Sequence, residues 1–210
     1  MSAVTATDHH DHDHANHHEL SPMQQLRANR LAIWLFCFSE IFLFGALLMA
    51  RFYLWGNTRP ELDQNLGLFT TVMLLVSSYF MVRAEVAVAK GDTKKFERSL
   101  IVTFVLGLLF LLGVVLFEWG LMANPFGHHE ALKPTDGAYG AMFFAMTGMH
   151  AFHVLTGLFF ISVVYRNGKM GWYDEKNHWG VEACAIYWHF VDVVWVFFYP
   201  ALYLIGTVVH

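Results

Sequence analysis

Polar and apolar residues along this chain segregate into blocks instead of alternating. Five apolar runs, approximately Leu31–Leu54, Leu66–Val88, Leu100–Met122, Tyr139–Val164 and Ala183–Val208, are separated by short polar stretches. Each run holds roughly the 20 residues needed to cross a hydrocarbon core of about 30 Å as a helix. Unpaired backbone amides are costly in lipid, so runs of this length fold as helices. The two-residue alternation of a membrane barrel strand is missing, and so is any internal repeat. The intervening stretches carry turn and breaker residues: Pro60, the Gly91-Asp92 pair, Pro125, Gly127 and Pro134, and Gly168 with Gly171. Asp92 and Asp136 stand where N-caps are expected. The pattern predicts an all-α membrane protein, a five-transmembrane-helix bundle.

The first 20 residues break this pattern. They hold His9, His10, His12, His14, His17 and His18, four acids and no Lys or Arg. With no apolar run, the segment is not a signal peptide. Residues 1–28 are expected to form a His-rich, disordered or loosely ordered cytoplasmic tail, and 29–210 the five-helix domain. By composition alone the tail also suits loose metal chelation or proton buffering.

Composition supports the membrane class. Of the 210 residues, 56% are hydrophobic and only 14% charged, against about 25% charged in soluble domains. A net charge of −4 argues against a nucleic-acid partner. Cys37 and Cys184 both lie in apolar runs, so neither a disulfide framework nor a CxxC motif is present. Charge position then orients the bundle. Arg27, Arg30, Arg83, Lys90, Lys94, Lys95, Arg98, Arg166, Lys169 and Lys176 fall on one side, and Arg51, Arg59 and Lys133 on the other. The positive-inside rule places the N-terminus inside and the C-terminus outside. Arg51 and Arg83, near span ends, are expected to snorkel. Trp55, Trp119, Trp172, Tyr173 and Trp179 read as an interfacial aromatic belt.

Acids inside spans mark interior-facing positions. Glu40 lies near the middle of the first run beside Ser39, and reads either as a protonatable or lipid-sensing site or as a neutral acid hydrogen-bonded between helices. Glu118 and Glu182 lie closer to span ends, where interfacial water solvates them. The last run carries Glu182, Ala185, His189, Asp192, Val196, Tyr199 and Tyr203 at spacings of three and four, which puts them on one helix face. His189 and Asp192, one turn apart, could share a proton. The fourth run offers His150, His153 and Gly157 on one face, with Gly148 for close helix approach. These groups read as a polar packing seam. The ligand count is too low for a haem–copper centre, so no metal and no catalytic residue is assigned to this chain.

Two longer stretches resemble a known family. Glu182-Ala-Cys-Ala-Ile-Tyr-Trp-His-Phe-Val-Asp-Val-Val-Trp195 is similar to the signature of subunit III of haem–copper oxidases. So is Asp136-Gly-Ala-Tyr-Gly-Ala-Met-Phe-Phe, continuing to Thr147-Gly-Met-His-Ala-Phe-His-Val-Leu-Thr-Gly157. Ser39-Glu40-Ile-Phe and Glu118-Trp119 fall in matching order, and the likeness runs from about Leu31 to Gly206.

The resemblance implies a non-redox accessory subunit of a proton-pumping terminal oxidase in a bacterial inner membrane. It would pack on subunit I, hold phospholipid, and support proton uptake and catalytic lifetime. Haem and copper would belong to partner subunits I and II, and the complex would take electrons from cytochrome c. Quinol is the alternative donor, a subunit accompanying nitric oxide reductase a further one, and an independent proton transporter the competing class. Membership of a respiratory supercomplex is open on the same grounds. Glu40 matches the family's carbodiimide-reactive carboxylate in the lipid-holding region, and Arg166 a headgroup-binding arginine. Many members have seven helices, of which this chain matches the last five. The missing wall of the lipid cleft is then either absent or supplied by an enlarged subunit I.

Overall fold

The computed structural model describes residues 21–122 and 132–209. The His-rich tail and part of the loop between the third and fourth spans, including Pro125 and Gly127, lie outside the described residues. Helix α1 spans Pro22–Trp55, α2 Gln64–Ala89, α3 Thr93–Leu112, α4 Gly137–Lys169 and α5 Trp179–Tyr199. Two short strands, β1 (Thr58–Pro60) and β2 (Thr207–Val209), pair in parallel at one end. All five helices are long and apolar enough to cross a membrane, as a multi-pass integral membrane protein requires.

Polar residues just outside the spans set the helix starts. Ser21 and Gln24 form a reciprocal capping box at α1. The Asp63 carboxylate accepts from the Asn65 and Leu66 amides, and Asp92 from the Lys95 amide. Asp136 occupies the cap position of α4, but its carboxylate accepts from the Lys133 amide at 2.7 Å. That bond closes the preceding turn and leaves the helix amides without a side-chain cap.

α2, α3, α4 and α5 form a closed ring, each against the next, and α1 lies outside it against the α4–α5 edge. Trp188 of α5 fills the ring's centre. Its indole nitrogen donates to Ser77 of α2 at 3.0 Å. A Cβ added to Gly107 of α3 would lie 2.5 Å from its ring, and one added to Gly157 of α4 would lie 2.8 Å away. Small residues thus let four backbones close on one large side chain, the dense packing that drives helix association where lipid offers no hydrophobic gain. Two turns on, Trp195 donates to Thr71 of α2 at 2.9 Å. Gly148, expected at a close approach, meets only the Trp119 ring at 3.9 Å.

Both α3 and α5 end in π-helical turns, Gly113–Glu118 and Pro200–Leu204. The wider turn shifts residues off the three-and-four stripe. Beyond the start of the turn after α5, Tyr203 is turned fully into the core against Gly67. Val196, within the regular part of α5, faces outward and interrupts the predicted seam.

Arg51 corrects its expectation. It is fully buried and does not snorkel. Its guanidinium donates to the Gly56 carbonyl at 3.2 Å, the Thr58 carbonyl at 3.5 Å and the Ile205 carbonyl at 2.6 Å. It also lies 5.0 Å from the centre of the Trp55 ring. The end of α1, β1 and the chain leading into β2 are fastened by this one side chain. Part of the aromatic belt is likewise bound into the protein: Trp55 donates to the Ala138 carbonyl and Trp119 to the Thr147 hydroxyl.

Candidate functional site

The deepest polar contact between α1 and α4 joins Glu40 and His153. Glu40 Oε2 and His153 Nε2 are 3.2 Å apart, with the histidine side chain 8% exposed and the glutamate 18%. His153 Nδ1 lies 2.8 Å from the Met149 carbonyl oxygen, one turn earlier on α4. A carbonyl can only accept, so Nδ1 carries a proton. The Nε2–Oε2 contact then holds one further proton, on the acid or on the ring. Phe44 packs its edge on the imidazole, with ring centres 4.8 Å apart, and the Tyr187 hydroxyl donates to the His153 carbonyl. The pair is fixed by α1, α4 and α5 together, with the Glu40 side of it partly open.

His150 and His153 do not act together. An offset of three residues leaves about 60° between them around the helix axis, and the two side chains meet different neighbours. His150 points into the ring, stacked on Trp195 at 4.8 Å with Phe110 against its edge. Neither of its ring nitrogens has a partner among the described residues. His189 and Asp192 are not directly bonded either. His189 Nδ1 is 3.4 Å from Ser78 Oγ on α2, and Asp192 lies against the same hydroxyl with its Oδ1 unpartnered among the described residues. Ser78 separates the two groups and ties both to α2. No sequence pattern on α5 could have revealed this, because the connecting residue belongs to another helix.

Glu118 also differs from its expectation. It is 7% exposed, enclosed with Tyr203 where the two π-helical turns meet, and is not solvated at a span end. Glu182 does stand at the periphery, where Arg30 Nη2 donates to its Oε2 at 2.9 Å. Arg166 is exposed in the last turn of α4 beside Lys169. Among the described residues, no three His, Cys, Asp or Glu side chains converge as a metal site would need.

A groove between α1 and α5 was not legible beforehand. At mid-span it measures ≈ 650 Å³ and is lined by Trp34, Leu35, Cys37, Phe38 and Ile41 of α1 and Ile186, His189, Phe190 and Val193 of α5. One turn closer to the N-terminus, the same helix pair encloses a second compartment of ≈ 660 Å³. Its lining includes Gln25, Asn29, Arg30, Lys176, Asn177, His178 and Trp179. The apolar compartment and the polar one, whose lining also includes Glu182, thus lie one after the other along the α1–α5 contact.

A family model described as cytochrome c oxidase subunit III matches residues 10–207. The chain is 30% identical over 203 residues to cytochrome c oxidase subunit 3 of Homo sapiens, covering 90% of this chain and 74% of that one. It is 32% identical over 204 residues to the protein of that name from Latimeria chalumnae (91% and 74% covered). To the one from Synechocystis sp. it is 32% identical over 200 residues (92% and 79% covered).

Proposed function

The chain belongs to the cytochrome c oxidase subunit III family, and from that premise we propose that it serves as a non-redox accessory subunit of a proton-pumping terminal oxidase. The complex sits in a bacterial plasma membrane, takes electrons from cytochrome c and reduces oxygen to water, with haem and copper held by subunits I and II. This subunit packs on subunit I, holds phospholipid and sustains proton uptake through many turnovers.

The observation that carries the lipid role is the two-part α1–α5 crevice. Lys176 and the neighbouring amide side chains suit a phosphate headgroup, with Arg30 held beside them by Glu182. The apolar stretch beginning at Trp34 suits an acyl chain. The Glu40–His153 pair carries the proton-linked role. It stores one exchangeable proton beside a lipid-facing helix, and one carboxylate is not a continuous path, so it acts by ordering lipid and water next to subunit I.

Glu40→Gln tests this reading. The amide keeps the shape and donates to His153 Nε2, while ionisation is removed. The purified complex should assemble and retain its haems. It should lose carbodiimide labelling on this chain, take up protons more slowly and inactivate after fewer turnovers. Wild-type proton uptake and lifetime in this variant would discard the role given to Glu40.

A further inference from the structure

We propose that the α2–α3 turn forms a separate binding site for one anionic phospholipid, on a different face from the α1–α5 crevice. Its ligand is selected by headgroup charge.

Three residues, Lys90, Gly91 and Asp92, join α2 to α3, and the turn is tight because Gly91 adopts a φ of 70°. The short link sets the basic ends of both helices side by side. Between them lies a depression of ≈ 340 Å³ lined by Val82, Arg83, Val86 and Ala87, with Lys90, Asp92 and Lys95.

The cations in it are not equivalent. Lys95 Nζ is 2.8 Å from Asp92 and its amide donates to the same carboxylate. Together these hold the Asp92 carboxyl below its ordinary range. That pair is internally neutral. Arg83 and Lys90 have no carboxylate partner among the described residues. The Arg83 guanidinium lies 5.6 Å from the centre of the Phe80 ring, which orients it without neutralising it.

Two free cations beside an apolar floor match a phosphodiester joined to an acyl chain. The floor also leads somewhere. Val86, Val82, Tyr79, Leu75 and Val72 are all exposed and recur along one α2 face from the depression into the span. A headgroup at Arg83 and Lys90 therefore has a continuous apolar track beneath it. An acidic protein segment would use the cations and leave the track empty, and a zwitterionic lipid would use the track with little gain from the second cation.

The test uses the full chain, purified with the subunits that accompany it, in nanodiscs of phosphatidylcholine. Spin-labelled phosphatidylglycerol and spin-labelled phosphatidylcholine are compared by the immobilised fraction in the electron paramagnetic resonance spectrum. The wild type should select phosphatidylglycerol. Arg83→Gln and Lys90→Gln should each cut that selectivity about fivefold, the worth of one interfacial cation. Arg83→Lys should largely restore it, and Lys94→Gln, outside the depression, should leave it unchanged. Equal selectivity in the wild type and in a variant carrying both Arg83→Gln and Lys90→Gln would overturn the site. So would an equal loss from Lys94→Gln, which would mean a diffuse surface potential.

A second measurement needs no variant. Photoactivatable phosphatidylglycerol should cross-link within 79–90 of the wild type. No lipid adduct there would likewise overturn it. None of these outcomes bears on the α1–α5 crevice, which is lined by Lys176 and the Arg30–Glu182 pair.

Discussion

Gly157→Leu should prevent the helix ring from closing. A Cβ at this position would already lie 2.8 Å from Trp188 Cε3, 2.9 Å from Cζ3 and 3.3 Å from Tyr187 Cε1. The indole cannot retreat, because Gly107 of α3 stands against its other edge and its nitrogen is bonded to Ser77. α4 and α5 would have to separate, and the Trp188–Ser77 bond and the Tyr187–His153 carbonyl bond would be strained with them. Overpacking of a dense core costs about 1–3 kcal/mol or more, and leucine adds three carbons beyond the clashing one. Folded subunit recovered in mild detergent should fall by more than tenfold. Gly157→Ala should give an intermediate yield with a lower melting temperature. Gly148→Leu is the control: its surroundings are open apart from the Trp119 ring at 3.9 Å, so the yield should stay near the wild type. An equal loss at both glycines would mean that close helix approach at Trp188 is not what limits folding.

Arg51→Met should cost about 3 kcal/mol or more and release the C-terminal strand. Methionine fills a similar volume on Trp55 but donates to nothing. The carbonyls of Gly56, Thr58 and Ile205 would then lose their common donor. Hydrogen bonds to a charged group contribute about 1.5–3 kcal/mol each, and the Ile205 bond, at 2.6 Å, is the shortest of the three. The Thr207 amide, which donates to the Asn57 carbonyl at 2.9 Å, should exchange with deuterium quickly in the Arg51→Met background and stay slow in the parent. Arg51→Lys should fall between, since one ammonium cannot span three acceptors with a planar fork. Unchanged exchange would show that β1–β2 pairing holds the terminus without the arginine.

Spans and breakers were legible in the sequence because each obeys a one-dimensional rule. Length and hydropathy define a helix that crosses lipid, and Asp92 caps α3 because caps are local. Interior acids were legible for a similar reason: the cost of an acid in lipid is high enough that Glu40 had to face protein or water. What was lost is partner identity. His153 completes the Glu40 pair from 113 positions away, and Ser78 divides His189 from Asp192 from another helix. Arg51 was misjudged because snorkelling is the usual resort of an arginine at a span end. Here three unpaired carbonyls converge on that level and provide a better one. The π-helical turns were equally hidden, since no single residue in 113–118 or 200–204 announces a widened turn, and with them went the true position of Glu118.

The placement of α1 outside the ring has a consequence for how the molecule comes apart. Only Cys37, Phe44, Arg51 and Trp55 of its 34 residues are buried, whereas α2, α4 and α5 each bury many more. The ring is the cooperative unit, and α1 is a stave held on by few pegs. Its excursions away from α4 and α5 are cheaper than any opening of the ring itself. Every such excursion would part Glu40 from His153 and open the α1–α5 groove while Trp188 stays seated. Hydrogen exchange across α1 should therefore be faster than across α5, and equal protection of the two helices would mean that α1 opens only with the ring.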